Sequence, residues 1–421
     1  MLATESFDRL WVWDDPALGG ALNWYRQVAT NRRPAKFRIA ATVPAQFTPS
    51  SDETALWAEL DRLTPEFLAC WQDIRVGRTT LAPVQRPNLL DLCDALVRRW
   101  LAHCTFCRWN CRVDRSHDGS SRIGACKLGE ASRVSSHFHH PGEELVYRGT
   151  AGSGTIFFTS CNMRCAFCQN GDISTDKDNG IDTDGRTLAA IAWTLRMEGC
   201  HNVNWVGGEV TIHLHRIVEA IALLGNGFKP GPADLARARR TRADRFCWHD
   251  TRAEDASYAG HLNAPMLWNS NFFMTDEAMK ILRLLMDVWL PDFKFGPGRC
   301  AMTLAKTPWY WETVTGNLLM LHGAGEDMTI RHLVMPGHVE CCTVPMLDWL
   351  ARHMPDVPIN IMDQYRPDNF CEPGSDKYRP EYAALTRGIT RAEFSAACAH
   401  AASRGIKFET ITFEKARRFL G

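Results

Sequence analysis

Between residues 155 and 412 short apolar runs alternate with helical patterns, and this alternation limits the fold more than any other feature. The strand-like runs are Thr155–Thr159, Asn202–Val206, Met266–Asn269, Val288–Phe293, Thr329–Val334, Ile359–Met362 and Ile406–Thr412. Between them Thr187–Glu198, Asp276–Met286, Val344–His353 and Arg391–Arg404 repeat apolar residues at helical spacing. Parallel strands need a crossover, usually a helix, so regular β-then-α order predicts an α/β fold with a parallel sheet. An open sheet and a barrel share this pattern, and both bind ligands at the C-terminal ends of their strands. No repeat of 20–50 residues recurs, which excludes a solenoid.

The flanks read differently. Glu53–Leu63 and Asn88–Leu101 have helical spacing, while Pro34, Pro44, Pro49, Pro65, Pro83 and Pro87 divide the region into short pieces. We expect a mostly helical N-terminal extension over 1–97, a cysteine-rich metal-binding segment over 98–150, and the β/α body over 151–421. An insertion at about 226–262 opens on Gly and Pro breakers and turns Arg-rich; its run at 236–245 reads as a solvated helix face. The 421 residues, 45% hydrophobic and 23% charged, suit a soluble globular chain with a large core. Equal numbers of basic and acidic residues, 48 each, argue against global attraction to nucleic acid or anionic membrane. The start MLATESFDRLWVWDD lacks a basic region followed by an apolar run, and no apolar stretch reaches about 18 residues. A cytoplasmic protein with no membrane partner is the expectation.

Sixteen cysteines in a chain this long, some at C-x-x-C spacing, point to metal rather than to disulfides. In GTIFFTSCNMRCAFCQNG a strand ends at Ser160 and a loop presents Cys161, Cys165 and Cys168. Thiolates are soft ligands for iron–sulfur clusters, zinc or Cu(I). This spacing offers three ligands and no local fourth, whereas a closed site needs four, so one metal position stays open. A structural zinc loop with a distant fourth ligand is the alternative. Cys104, Cys107, Cys111 and Cys126 fall within 23 residues and make a closed four-thiolate site reasonable, for zinc or an auxiliary [4Fe-4S] cluster. Cys70, Cys93, Cys200, Cys247, Cys300, Cys371 and Cys398 show no partners.

Polar motifs fall at the later strand ends. NVNWV runs into Gly207, Gly208 and Glu209; two glycines allow close backbone approach to a ligand, and a carboxylate suits an ammonium. The next strand ends in Asn269-Ser270-Asn271, either helix caps or ligand contacts. Asp292 and Lys294 flank Phe293 and share one strand face, as ligand contacts or as an internal ion pair. Arg331 suits bidentate carboxylate recognition, while His332 and His338 read as core or turn histidines. Asp363, Gln364, Tyr365 and Arg366 are candidate substrate-side groups without an assigned role.

Taken in order, GSGTIFFTSCNMRCAFCQN, VNWVGGE, LWNSN, LPDFKFG, IRHLVMPGHVECC and NIMDQYRP resemble the radical S-adenosylmethionine (SAM) superfamily, in the branch related to pyruvate formate-lyase activating enzyme. The resemblance covers roughly residues 98–412 outside the insertion. It implies a partial (β/α)6-type barrel and a [4Fe-4S] cluster on Cys161, Cys165 and Cys168, whose open iron chelates the amino and carboxylate groups of SAM. It implies that Phe167 lies near the adenine and that Gly207, Gly208 and Glu209 hold the cofactor's amino group. Asn269 and Asn271 would contact the ribose and methionine, Asp292 and Lys294 the region of the carboxylate, and Arg331 the cofactor. Val210 departs from the family, which usually has Pro there. The implied chemistry is reductive cleavage of SAM to a 5′-deoxyadenosyl radical that abstracts hydrogen, with electrons from a donor such as flavodoxin or ferredoxin. A glycyl-radical enzyme is one implied substrate; a peptide or small molecule is the other. Cys341-Cys342 read as hydrogen donors to a substrate radical or as buried structural thiols. A different class is a non-catalytic, metal-containing RNA-binding protein using the Arg-rich insertion.

Overall fold

Buried runs of aromatic and β-branched residues become the strands of this protein, because a pleated, half-buried surface is where such side chains pack best. The computed structural model describes residues 3–117, 122–244 and 253–417. Its strands are β1 Arg133–His140, β2 Ser153–Phe158, β3 Ile181–Asp182, β4 Val203–Gly207, β5 Ser257–Tyr258, β6 His261–Leu262, β7 Met266–Ser270, β8 Val288–Pro291, β9 Ile330–Leu333 and β10 Ile359–Met362. The main sheet has the order β3-β1-β2-β4-β7-β8, with β2, β4, β7 and β8 parallel. β9 pairs parallel with β10 and joins β8 through parallel bridges at Trp289↔Met328 and Asp292↔Arg331. Six parallel strands with helical crossovers thus form a partial barrel. The fully buried Trp205, Trp268 and Trp289 are successive register partners across β4, β7 and β8.

The N-terminal helices close the end of the barrel opposite the site. Trp24 donates its indole N–H to Asp287 Oδ1 at 2.9 Å, and Tyr25 its backbone N–H to Asp327 at 2.9 Å. Buried Lys36 pairs with Glu326 at 2.6 Å, its ammonium 4.0 Å from the Trp71 ring centre. Asp287 and Asp327 precede β8 and β9. Residues 24–104 therefore share one continuous hydrophobic core with the barrel, and the opposite end, where the strands finish, stays free for ligands.

Three expectations change. The helix predicted to stop near Leu63 runs Glu53–Arg75 through Pro65. Its buried stripe Leu56, Leu60, Leu63, Phe67, Trp71 and Ile74 outweighs a proline cost of about 3 kcal/mol. Ile406–Thr412 is not a strand: Ile359 donates its N–H to Lys407 O, and Glu409–Thr412 forms a helical turn. Ile406, Phe408 and Ile411 are buried there without a ladder to require extended backbone. Finally, β1 pairs antiparallel with β2 and β3. Its buried face carries His137 and His139, whose ring nitrogens bond Thr241, Ala151 O and Glu198, so no apolar alternation marks it.

Within the insertion, Pro232–Ala238 is helical and β5–β6 form a hairpin. Arg237 pairs with Asp234, and Arg242 with Glu198 and Asp244; Arg245 and Cys247 lie outside the described residues. Among the described residues no helix is long and apolar enough to cross a membrane.

Candidate active site

The cysteine loop leaves β2 through Ser160, whose φ of 63° turns the chain sharply. The loop is held on every side. Ser160 accepts no freedom from its own side chain either: its hydroxyl donates to Cys126 O at 2.6 Å. The Arg164 and Ala166 N–H groups donate to Ala305 O and Leu304 O, and Asn369 Nδ2 donates to Cys165 O at 3.2 Å. Cys161, Cys165 and Cys168 then border one cavity of about 310 Å³. The same cavity is lined by Phe167, Gly207, Gly208, Glu209, Asn269, Asn271, Asp292, Lys294 and Arg331, so all nine cofactor candidates meet the three thiols. They come from the region of the C-terminal ends of β2, β4, β7, β8 and β9, which the parallel arrangement brings together.

The roles within this wall differ from a simple reading of the motifs. A Cβ on Gly208 would stand 1.7 Å from Ser160 O, and one on Gly207, with φ of 144°, 2.3 Å from Phe158 backbone. Both glycines are required because β4 ends against the base of the cysteine loop, rather than solely by close approach to a ligand. Glu209 is 2% exposed, lines the cavity, and its carboxylate is held by four hydrogen bonds from the chain. Oε1 accepts from Thr211 N at 3.0 Å, Thr211 Oγ1 at 2.6 Å and Ser270 Oγ at 2.7 Å, and Oε2 accepts from Asn271 N at 2.9 Å. Oε1 is crowded, while Oε2, with a single donor, keeps an acceptor position. Glu209 therefore pins the end of β4 to the end of β7. The remaining Oε2 position lies in a residue that lines the cavity.

Asn271 makes a local turn bond and also lines the cavity. Its Oδ1 accepts from Phe273 N at 2.9 Å, a local turn bond, while Nδ2 lies 3.8 Å from Cys161 Sγ and donates to Asn162 Oδ1 at 2.8 Å. Asn269 Oδ1 accepts from Arg331 at 2.5 Å, and its Nδ2 is buried with no partner in the chain. Arg331 also donates to Asp292 at 3.1 Å and Glu143 at 3.2 Å, and Lys294 pairs with Asp292 at 2.5 Å. Asp292 and Lys294 are thus an ion pair that also faces the cavity. Burial works to raise the Asp292 carboxyl, but Lys294 and Arg331 outweigh it and hold it below its ordinary value. Burial pushes Glu143 up to about 8 against the pull of Arg331. Burial likewise pushes the Cys165 thiol up to about 12; a cation bound beside it is what would make it a thiolate.

Phe167 packs edge-on to Phe295 at 6.0 Å and tilts against Tyr365 at 6.1 Å. Among the substrate-side candidates, Gln364 lines the cavity. Tyr365 turns inward and donates its hydroxyl to Leu385 O at 2.7 Å, Arg366 pairs with Asp368, and Asp363 is exposed. His332 is a core residue, bonded to Phe293 O and Thr343 Oγ1. The sequence reading missed His140 and Glu143, which line the cavity from the end of β1 and the turn after it. The phrase His-Pro-Gly-Glu-Glu after an extended run was the available signal.

Behind this loop Cys104, Cys107, Cys111 and Cys126 line a second pocket of only about 10 Å³. Arg115, 1% exposed, donates to Cys104 Sγ at 3.4 Å, Ile212 O at 2.8 Å and Gly129 O at 3.2 Å. Burial works against its charge, yet Cys126 and Cys104 outweigh this and raise its pKa. A buried guanidinium beside four thiols would offset part of the charge of a four-thiolate metal site.

A profile described as the radical SAM superfamily matches residues 155–350. Over 382 residues the chain is 30% identical to Uncharacterized protein MJ0674 of Methanocaldococcus jannaschii, covering 89% of this chain and 95% of that one. Among solved structures, Streptococcus suis SuiB aligns at 10% identity with a TM-score of 0.39, over 59% of this chain and 46% of that one. Its complex with S-adenosylmethionine aligns at a TM-score of 0.37 over 48% of that chain, and its complex with the precursor peptide SuiA at 0.36 over 46%. The chain thus spans about half the length of these structures. By the profile match and the 30% identical relative, with the cysteine loop and the strand-end cavity, the chain is a member of the radical SAM superfamily, an enzyme that uses a [4Fe-4S] cluster and S-adenosylmethionine.

Proposed function

We propose that Cys161, Cys165 and Cys168 ligate the [4Fe-4S] cluster and that SAM occupies the cavity beside them. The observation that carries this reading is the convergence of three thiols and nine polar, aromatic or glycine candidates on one 310 Å³ space. Three thiolates leave one iron without a protein ligand, and the unpaired Asn269 Nδ2 supplies a buried donor awaiting an acceptor. When bound, the cluster and SAM supply reductive cleavage of the sulfonium and hydrogen-atom abstraction.

The chain's own part is to bind, orient and exclude water. Lys294 and Arg331 place two cations at the cavity wall for a carboxylate, with Asp292 and Glu143 holding both in position. Asn271 directs an N–H toward Cys161. Glu209 acts as a positioning residue, keeping the ends of β4 and β7 together under the ligand. Phe167 presents an apolar face for the adenine. Cys104, Cys107, Cys111 and Cys126 hold a second metal, zinc or an auxiliary [4Fe-4S] cluster, in the closed pocket.

The finer reading places the enzyme near the activating enzymes, acting on a glycyl-radical protein with electrons from flavodoxin or ferredoxin. It rests on the phrases LPDFKFG and IRHLVMPGHVECC at the strand ends. A peptide or small molecule is the other substrate class. None of the fifteen cysteines of the described residues is in a disulfide, which favours a reducing cytoplasm. The non-catalytic RNA-binding alternative loses support because the chain carries a radical SAM domain. Anaerobic reconstitution should give a [4Fe-4S] spectrum that shifts when SAM is added. A cluster spectrum indifferent to saturating SAM would defeat the assignment of this cavity.

A further inference from the structure

Away from the cavity, four side chains from two loops converge. Cys300 opens the helix Cys300–Ala305, which follows β8. His338 precedes, and Cys341 and Cys342 lie within, the π-helical turn Val339–Thr343, which follows β9. Cys300 Sγ is 3.6 Å from Cys341 Sγ and 3.5 Å from His338 Nδ1. Cys341 Sγ is 3.3 Å from the same nitrogen and 3.9 Å from Cys342 Sγ. All four donor atoms lie within 4.8 Å of one another.

These separations have a chemical meaning. Around one tetrahedral zinc, with Zn–S about 2.3 Å and Zn–N about 2.0–2.1 Å, sulfurs stand about 3.8 Å apart and sulfur to nitrogen about 3.5 Å. A disulfide would bring two sulfurs to about 2.05 Å, far closer than Cys300 and Cys341 approach. An iron–sulfur cubane binds each thiolate to a different iron and spreads the sulfurs wider than one ion does. The backbone is shaped for the same end. Cys342 N and Thr343 N both donate to His338 O, at 3.0 and 3.4 Å, and this widened turn sets three donors on one side. A Cβ at Gly296 would lie 2.2 Å from Cys341 O, so only a glycine lets the loop after β8 come this near.

We propose that Cys300, His338 through Nδ1, Cys341 and Cys342 form a four-coordinate structural zinc site. Binding one Zn²⁺ displaces three thiol protons and leaves no coordination position open, so the site clamps loops rather than activating a ligand. The clamped loops follow β8 and β9, and the first of them carries Phe295, which packs against Phe167 and Tyr310. The zinc site would therefore steady one wall of the cofactor cavity from outside.

The test uses the full chain, purified anaerobically, with zinc and iron counted separately. The double variant Cys300→Ser/Cys341→Ser should carry about one zinc fewer per chain than wild type, with iron unchanged. Equal zinc in both proteins would overturn the proposal. A second measurement on wild type alone covers a variant that fails to fold. Alkylation of the exposed Cys341 by iodoacetamide, mapped by mass spectrometry, should be at least tenfold slower before EDTA treatment than after it. Equal rates with and without the chelator would also overturn it, whatever the variant does.

Discussion

The three-thiol loop and the four-thiol segment touch each other, yet only one of them borders open space. The first faces about 310 Å³, the second closes on about 10 Å³. They are tied by Trp109 Nε1 donating to Asn162 O at 2.6 Å, Ser160 Oγ to Cys126 O at 2.6 Å and Arg164 to Ala125 O at 2.5 Å. Cys107 also meets Asn162. The difference teaches that the number of protein thiols decides what a metal there can do. Three leave a position for a ligand, and four spend every position on holding the chain. On the proposed reading, the closed group is a buttress for the open one.

The largest effect expected separates chemistry from support. Cys165→Ala should abolish SAM cleavage, read as 5′-deoxyadenosine formed under anaerobic reduction, while metal at the four-thiol pocket stays. Cleavage persisting in that variant would break the comparison at its open end. Cys107→Ser should do the reverse in kind: it should lower the melting temperature by about 5 °C, from loss of on the order of 4–5 kcal/mol of metal-linked stability. If cleavage disappears with stability untouched, the closed group is redox machinery rather than a buttress.

Glu209→Gln sharpens the boundary between the two roles. The amide keeps one acceptor and sets an NH₂ against groups that now donate to the carboxylate. We expect about 2–3 kcal/mol lost, with melting temperature and SAM affinity falling together. A drop in SAM affinity alone, by calorimetry, would instead mean that Glu209 touches the cofactor's ammonium directly.

The smallest effect concerns pH. Burial drives His137, His140 and His332, on the strands β1 and β9 flanking the open site, down to about 4. In the unfolded chain an imidazole takes its proton near 6.5. Their folded values are depressed, so this stability is present above about 6.5 and is lost as pH falls toward 4. Each should cost about 1 kcal/mol between pH 7.5 and 5.5. His332→Gln should flatten that slope in denaturant titrations; an unchanged slope would remove His332 from the account.

Much of this was legible because it is local or periodic. The six parallel strands from β2 to β10 and the crossover helices Gly185–Met197 and Val344–His353 follow from apolar spacing. β1 was not legible because histidines, satisfied by partners distant in sequence, occupy its buried face. The helix through Pro65 was not, because a tertiary stripe outweighed a local breaker. Cys300 looked isolated because its partners are about forty residues away, on the next strand's loop.

The sequence by itself determined the chemistry available: soft thiols in a group of three and a group of four, charged and amide residues at successive strand ends, and a β/α order that gathers strand ends. Only the tertiary structure decided how those groups are used. It tied the Glu209 carboxylate to the end of β7, turned the glycines of GGE toward the cysteine loop, paired Asp292 with Lys294 and Arg331, and closed one cysteine group while leaving the other beside a cavity. The physical reason is that a side chain's identity fixes what bonds it can make, whereas which bonds it does make depends on neighbours that only the packed fold supplies.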